Sequence, residues 1–310
     1  MTEIAQLKQS NKLLARSLTA LIVILSFWFI YRQINDSEID LVETLSGAQP
    51  IIILAPIFVV IVMSISPIIW QYLMLGSGAK IPLRDCFGIW WSTNITKYVP
   101  GKVTLVVGRA YVGRKYGAKV VVESFIWELL ISISSALIAG LMLIILEDFP
   151  TEVKLLFLGG VITSLLPLIS PKITQKIVRK PFSMLGRGNW EVETSMTRRI
   201  YSIALILMTF SWLAWGLAHK FILLGLGFDA SLPLLIGSFS LAWLVGFSAF
   251  FLPAGIGARE GVFTFNLSLF LSGGIAGVLA VTSRLLNVVI EVLLFFVGAS
   301  IIKSSSDEQE

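Results

Sequence analysis

The feature that most limits the fold of this chain is an uncharged apolar run from Thr44 to Ala79. It is longer than the ~20 residues that an α-helix needs to cross the hydrocarbon core of a bilayer. The whole chain is 56% hydrophobic and only 14% charged, whereas soluble domains carry roughly 25% charged residues. We therefore expect an all-α polytopic membrane protein, with residues 1–310 forming a single transmembrane domain.

Two further apolar segments are each interrupted by proline and glycine. The first covers 86–114 and contains Pro100-Gly101, and the second covers 234–261 and contains Pro253-Ala254-Gly255. Interrupted segments at corresponding positions in two halves of a membrane protein are typical of a transport site. We expect the first segment to form a re-entrant hairpin with its tip near Pro100. The second is long enough either to re-enter or to cross the membrane twice.

The charges between the apolar segments predict the orientation of the chain. Basic residues precede a predicted first helix at 13–31, the loop at 32–49 is acidic, and the segment 172–199 holds seven basic and two acidic residues. Because cytoplasmic loops are enriched in Lys and Arg, we expect a multi-pass protein of the plasma (inner) membrane with both termini in the cytoplasm.

This topology divides the chain into two similar units. A helix, a broken hairpin and a second helix follow one another over 50–146 and again over 200–302, and a helix at 155–170 links the two units. An odd number of crossings between the units would invert the second relative to the first, so we predict two inverted-topology repeats.

Charged side chains inside apolar segments cost about 2.5–3.5 kcal/mol each on insertion scales, so they should face a cavity or form pairs. We predict a central anion site where the two hairpin tips meet. Arginines would bind a phosphate there, and Glu128 and Glu260 would orient the arginines or carry protons. The predicted substrate-binding residues are Lys97, Pro100, Gly101, Lys102, Arg109, Glu128, Pro253, Gly255, Gly257, Arg259, Glu260 and Arg284.

Two other interpretations of these charges remain open. The charges could form internal ion pairs that fix helix packing, and Lys97 and Arg109 could instead extend to the membrane surface. Arg284 and Glu291 are seven residues apart and should share one face of the last helix.

Several classes of site are not expected. With Cys86 as its one cysteine and His219 as its one histidine, the chain offers neither a disulfide nor a Cys- or His-based metal centre. We see no nucleophile arrangement and no dinucleotide fingerprint, so we expect no cofactor and no enzymatic activity. The basic residues fit membrane topology better than nucleic-acid binding.

The chain resembles the lysylphosphatidylglycerol synthase transmembrane family of flippase-like membrane proteins. The resemblance rests on TKYVPGKVTLVVGRAYVGRKYG, on Glu128, on LPAGIGAREG and on Arg284, and it covers about residues 15–302. The family implies an inner-membrane protein that moves or makes lipid-linked head groups, either aminoacyl phospholipids or polyprenyl-phosphate sugars. The soluble aminoacyl-transferase domain of the full synthases is not in this sequence, so we do not expect this chain to aminoacylate phosphatidylglycerol.

Three functions follow as hypotheses. The first is translocation of a lipid with an anionic phosphate head group. The second is a non-transporting membrane partner that docks a separate glycosyltransferase or lipid synthase through the basic segment 172–199. The third is an integral membrane transferase with Glu260 as a base. The sequence leaves the oligomeric state open.

Overall fold

The computed structural model of the chain describes residues 24, 28, 29, 31, 32, 35, 46–99, 103–146, 150–174, 196–249 and 252–307. Within these ranges the chain is helical, without strands. The α-helices are α1 (Leu54–Gly76), α2 (Leu83–Asn94), α3 (Val103–Val112), α4 (Ala118–Leu146), α5 (Thr151–Ser164), α6 (Leu166–Ile169), α7 (Arg198–Gly225), α8 (Leu232–Ser248), α9 (Ala258–Ser268) and α10 (Gly273–Asp307). Short 3₁₀ helices lie at Pro50–Ile53, Ile95–Tyr98, Arg114–Tyr116 and Pro253–Gly255.

Four helical stretches in the described part of the chain are long and apolar enough to cross a membrane. They are Pro50–Gly76, Ala118–Leu146, Arg198–Gly225 and Gly273–Ser304. Large apolar side chains remain exposed along them, such as Ile145 and Phe296, as expected of surfaces that face lipid. The prediction of an all-α polytopic membrane protein is confirmed. The first helix predicted at 13–31 and the basic segment 172–199 lie mostly outside the described residues.

The same order of elements occurs twice along the chain. A long helix, a short helix, a 3₁₀ turn, another short helix and a long helix run from α1 to α4 and again from α7 to α10. The leading helices α1 and α7 pack together, α2 packs on α10, and α8 packs on α4. Each hairpin therefore packs against the last helix of the other unit. A two-fold relation between the units would produce this reciprocal packing, and their inversion across the membrane stays a prediction.

Both reciprocal contacts depend on a glycine. A Cβ atom on Gly298 of α10 would lie 2.7 Å from the backbone nitrogen of Ser92 in α2. A Cβ atom on Gly237 of α8 would lie 2.5 Å from the backbone nitrogen of Leu143 in α4. Membrane helices use such small residues to bring backbones close together, because lipid tails leave dispersion contacts as a main source of attraction between helices.

Three of the four hairpin arms are far too short to cross a bilayer alone. The arms of the first hairpin, α2 and α3, have 12 and 10 residues, and those of the second, α8 and α9, have 17 and 11 residues. An 11-residue helix is about 17 Å long, whereas the hydrocarbon core is about 30 Å thick. These lengths favour a re-entrant second hairpin. The turns at Ile95–Tyr98 and Pro253–Gly255 contact each other, so the two hairpins meet.

The segment that links the units is not one helix. The sequence predicted a helix over 155–170, and the structure divides this segment into α5 and α6 with a break at Leu165. Pro167 has no N–H to donate to the Thr163 carbonyl, and its ring crowds the preceding turn. The N–H groups of Leu165 and Leu168 accordingly donate to carbonyls three residues back, as in a 3₁₀ helix, instead of four residues back.

A polar contact that lies outside the membrane-spanning helices fixes the beginning of the first hairpin. The Tyr116 hydroxyl donates to the Asp85 carboxylate, and Lys115 Nζ lies 2.7 Å from Asp85 Oδ2. Burial raises the pKa of Tyr116, and the hydrogen bond to Asp85 raises it further. The contact joins the first turn of α2 to the turn between α3 and α4.

We predict that Gly298→Ala destabilises the protein by roughly 1–3 kcal/mol, because the new methyl group meets backbone that cannot move without separating α10 from α2. Gly159→Ala is the matched control, since a Cβ atom at Gly159 meets nothing within 4 Å. The measurement is the thermal unfolding midpoint in detergent. Equal midpoints for the two variants would contradict this account of the α2–α10 contact.

Candidate functional site

The second hairpin turns through an unusual backbone that positions Arg259 and Glu260. Ala254 has φ 49°, in the left-handed region that side chains rarely adopt, and Gly255 and Gly257 follow with φ 66° and 84°. The Glu260 carboxylate then accepts a hydrogen bond from the Gly257 N–H at 2.8 Å. This is the reach-back half of a helix capping box. It fixes the start of α9 and holds Arg259 and Glu260 in its first turn.

Five charged side chains form one cluster beside the contact between the hairpins. Glu260 Oε1 lies 3.1 Å from Arg259 Nε and 3.5 Å from Arg284 Nη1, so one carboxylate ties α9 to α10. Glu260 is 4% exposed. We call the group of Lys97, Arg259, Glu260, Arg284 and Glu291 the central cluster.

The two units are joined electrostatically within the central cluster. Lys97 Nζ, from the turn after α2, lies 2.5 Å from Glu291 Oε1 on α10. The adjacent Tyr98 ring lies under the Arg284 guanidinium, with 5.3 Å between the guanidinium carbon and the ring centroid. On the other side, Arg259 stands 5.5 Å from the centroid of the Phe239 ring. Aromatic faces favour such cations when water is excluded.

Several polar atoms of this region are buried and have no hydrogen-bond partner among the described residues. They are Tyr98 Oη, Arg284 Nη2, Asn287 Oδ1 and Glu291 Oε2. Buried polar groups are normally satisfied, and an unmade bond to a charged group is costly. These atoms leave the hydrogen bonding of the region incomplete among the described residues.

The central cluster carries a net positive charge. Lys97, Arg259 and Arg284 supply three cations against the two carboxylates of Glu260 and Glu291. One positive charge remains, and a guanidinium donor of Arg284 remains unused. The arrangement is therefore suited chemically to an anion with oxygen acceptors, such as a phosphate.

Arg109 and Glu128 form a separate pair between α3 and α4. Arg109 is 1% exposed and donates from Nη1 to Glu128 Oε2. The indole of Trp90 donates to the other carboxylate oxygen at 3.0 Å, and Trp70, Trp90 and Phe125 surround the guanidinium. Arg109 does not extend to the surface. Its charge is matched by Glu128, so this geometry supports a packing role, and phosphate binding by Arg109 stays a prediction.

The other predicted site residues fall into three groups. Lys97, Arg259, Glu260 and Arg284 come together in the central cluster. Pro253, Gly255 and Gly257 contribute backbone geometry to the turn, with Gly255 packed against Gly246. Pro100, Gly101 and Lys102 lie outside the described residues.

The prediction omitted three residues that contribute to the site, Tyr98, Asn287 and Glu291. Sequence periodicity placed Glu291 on the same helix face as Arg284 but did not give its partner. In the structure Arg284 pairs with Glu260, and Glu291 pairs with Lys97. Asn287 lies one turn from Glu291 and donates to it at 3.1 Å. The sequence feature that could have indicated Asn287 and Glu291 is an acidic residue with a polar residue four positions before it on an otherwise apolar helix.

We expect Glu128→Gln to lower stability by about 3–5 kcal/mol, because it leaves the Arg109 charge buried without a counter-charge. Glu152→Gln is the control, since Glu152 is an exposed carboxylate. Thermal unfolding in detergent measures both. The double variant Arg109→Met/Glu128→Leu should recover most of the loss, and a double variant no more stable than Glu128→Gln would contradict the pair's packing role.

Comparison with known proteins supports one assignment. No curated protein sequence matches this chain. The family model described as the lysylphosphatidylglycerol synthase TM region matches residues 16–294, a span that includes the first unit, most of the second unit and every residue of the central cluster. The chain therefore belongs to the lysylphosphatidylglycerol synthase transmembrane family.

Proposed function

We propose that this protein translocates a lipid with an anionic phosphate head group across the membrane. The head group would cross between the two hairpins, and Lys97, Arg259 and Arg284 would bind its phosphate. The observation that carries the proposal is Arg284 Nη2, a buried guanidinium donor without a partner in the described residues, inside a cluster with a surplus positive charge.

The packing of the units supports movement of the head group rather than permanent binding. The central cluster is built from both units, since Lys97 belongs to the first hairpin and the other four residues belong to the second unit. Its contacts between units are an ion pair and a cation–ring contact, which can separate and re-form. Rocking of one unit against the other would expose the cluster to each side in turn.

The lipid nature of the substrate rests on the family and on the surfaces next to the site. The helix α10 carries Arg284 and Glu291 on its inner face, and it exposes Leu285, Val289 and Leu293 on its outer face. Acyl or polyprenyl tails could stay in the bilayer beside this face while the head group crosses. The head group is of the aminoacyl phospholipid or polyprenyl-phosphate sugar type, and the membrane is the inner membrane, with both termini in the cytoplasm. No covalent step is needed.

We predict that Arg284→Ala slows translocation roughly 10- to 100-fold, because a hydrogen bond from a charged donor contributes about 1.5–3 kcal/mol. Arg259→Ala should act in the same direction. Dithionite quenching in proteoliposomes measures the rate, with fluorescent phosphatidylglycerol and a fluorescent polyprenyl-phosphate analogue as probes. Arg114→Ala is the control, since Arg114 is exposed and bonds only the Tyr111 carbonyl and ring among the described contacts.

The outcomes separate the hypotheses. A folded Arg284→Ala protein that translocates at the wild-type rate would contradict the head-group site. A folded wild-type protein that moves neither probe would contradict translocation of these lipid classes. It would favour the alternative of a docking partner for a glycosyltransferase or lipid synthase.

A further inference from the structure

The two oxygens of the Glu291 carboxyl have different surroundings. Oε1 accepts from Lys97 Nζ at 2.5 Å and from Asn287 Nδ2 at 3.1 Å. Oε2 is buried and accepts no well-formed hydrogen bond among the described residues, although the Tyr98 hydroxyl lies beside this carboxyl. The Glu291 side chain is only 1% exposed, so bulk water does not satisfy that oxygen. A buried carboxylate in this state is poorly stabilised on one side.

The other carboxylates near the site differ from Glu291. Glu260 uses Oε1 for Arg259 and Arg284, and it uses Oε2 for the Gly257 N–H. Glu128 uses one oxygen for Arg109 and the other for Trp90. Both therefore have a donor on each oxygen. Among these three carboxyls, Glu291 is the one with an oxygen that accepts no well-formed hydrogen bond among the described residues.

The groups around Glu291 come from several elements. Lys97 and Tyr98 face it from the turn after α2, and Arg259 faces it from α9. Arg284 lies on the same helix. The helices α1, α2 and α7 also pack on α10, and their ionisable side chains include Tyr72, Asp85, which is paired with Lys115, and His219, which lies against Phe239 and Phe263.

Asn287 can serve both protonation states of Glu291. Its amide nitrogen now donates to Oε1, and its amide oxygen Oδ1 is buried without a partner among the described residues. Rotation of the amide exchanges donor for acceptor. Once the carboxyl also turns so that its protonated oxygen faces Asn287, the same side chain can accept a hydrogen bond from it. A leucine at this position would serve neither state.

We propose that Glu291 is a proton-binding site that is loaded together with the anionic head group, an inference that rests on the proposed function. A proton from water binds Glu291 Oε2 and forms an O–H bond, which makes the carboxyl neutral. Lys97 stays protonated and transfers its hydrogen bond from Glu291 Oε1 to a phosphate oxygen. One proton and one singly charged phosphate enter together, so the net charge of the central cluster stays the same. Release on the other side reverses both steps.

The proposal makes lipid movement depend on pH in a defined direction. Protonation removes the competitor of the phosphate for Lys97, so the wild-type rate should rise several-fold as the pH is lowered. Lipid and proton travel the same way, so a pH gradient should accumulate fluorescent phosphatidylglycerol in the leaflet on the alkaline side. Glu291→Gln mimics the neutral acid and binds no proton. It should move the probe at a rate independent of pH and without accumulation.

One control variant and two contrary results test the proton site. Glu152→Gln removes an exposed carboxylate and should keep the wild-type pH response. Wild-type translocation without a pH response, or a Glu291→Gln protein that keeps that response, would overturn the proton site while leaving translocation intact. Absence of any movement by the wild type would instead overturn the proposed function, and the proton site with it.

A second measurement does not depend on the folding of a variant. Wild-type protein in weakly buffered detergent is mixed with dioctanoyl phosphatidylglycerol, and an indicator dye reports protons taken up on binding. We expect uptake of about one proton for each lipid bound. Binding of the lipid without proton uptake would overturn the proposal. Folded Glu291→Gln should bind the lipid and take up none.

Discussion

The structure depends on the way buried charge is neutralised across two units. An isolated ion inside an apolar helix bundle is strongly unfavourable, so each charge of this chain constrains where its partner's helix lies. The Lys97–Glu291 pair joins the first hairpin to the last helix, and Glu260 joins α9 to α10 through two arginines. The reciprocal packing of α2 on α10 and of α8 on α4 brings these partners within reach.

The two groups of charges differ in what they leave unsatisfied. Around Arg109, aromatic rings surround the guanidinium and Glu128 matches its charge, and Nε is the one Arg109 atom that is buried without a hydrogen-bond partner among the described residues. The central cluster retains a formal positive charge and several buried donors and acceptors without hydrogen-bond partners among the described residues. An ion pair with matched charges fixes helix packing. A cluster that has a surplus charge and is shared by two units is suited to bind an ion and release it. This contrast is the reason for proposing the central cluster, and not the Arg109–Glu128 pair, as the head-group site.

Much of the fold could be predicted from the sequence, and the pairing of the site could not. Apolar length gave the four spans, and Pro253 with its glycines marked the second turn. The adjacent residues Arg259 and Glu260 were also predicted as a pair. Lys97 and Glu291 are 194 positions apart, and helix periodicity carries no information about contacts between units. Periodicity therefore placed Glu291 and Arg284 on one helix face without indicating the partner of either. The break at Leu165 was missed because the apolar pattern continues through Pro167.

The central claim is that a lipid phosphate replaces Glu291 as the partner of Lys97. The most direct measurement is a cryo-EM structure of the protein in nanodiscs of anionic lipid at mildly acidic pH. We predict density for a phosphate within ~3 Å of Arg284 Nη2 and Lys97 Nζ, with Lys97 and Glu291 separated. An intact Lys97–Glu291 pair, with phosphate bound only at the membrane surface, would contradict the account.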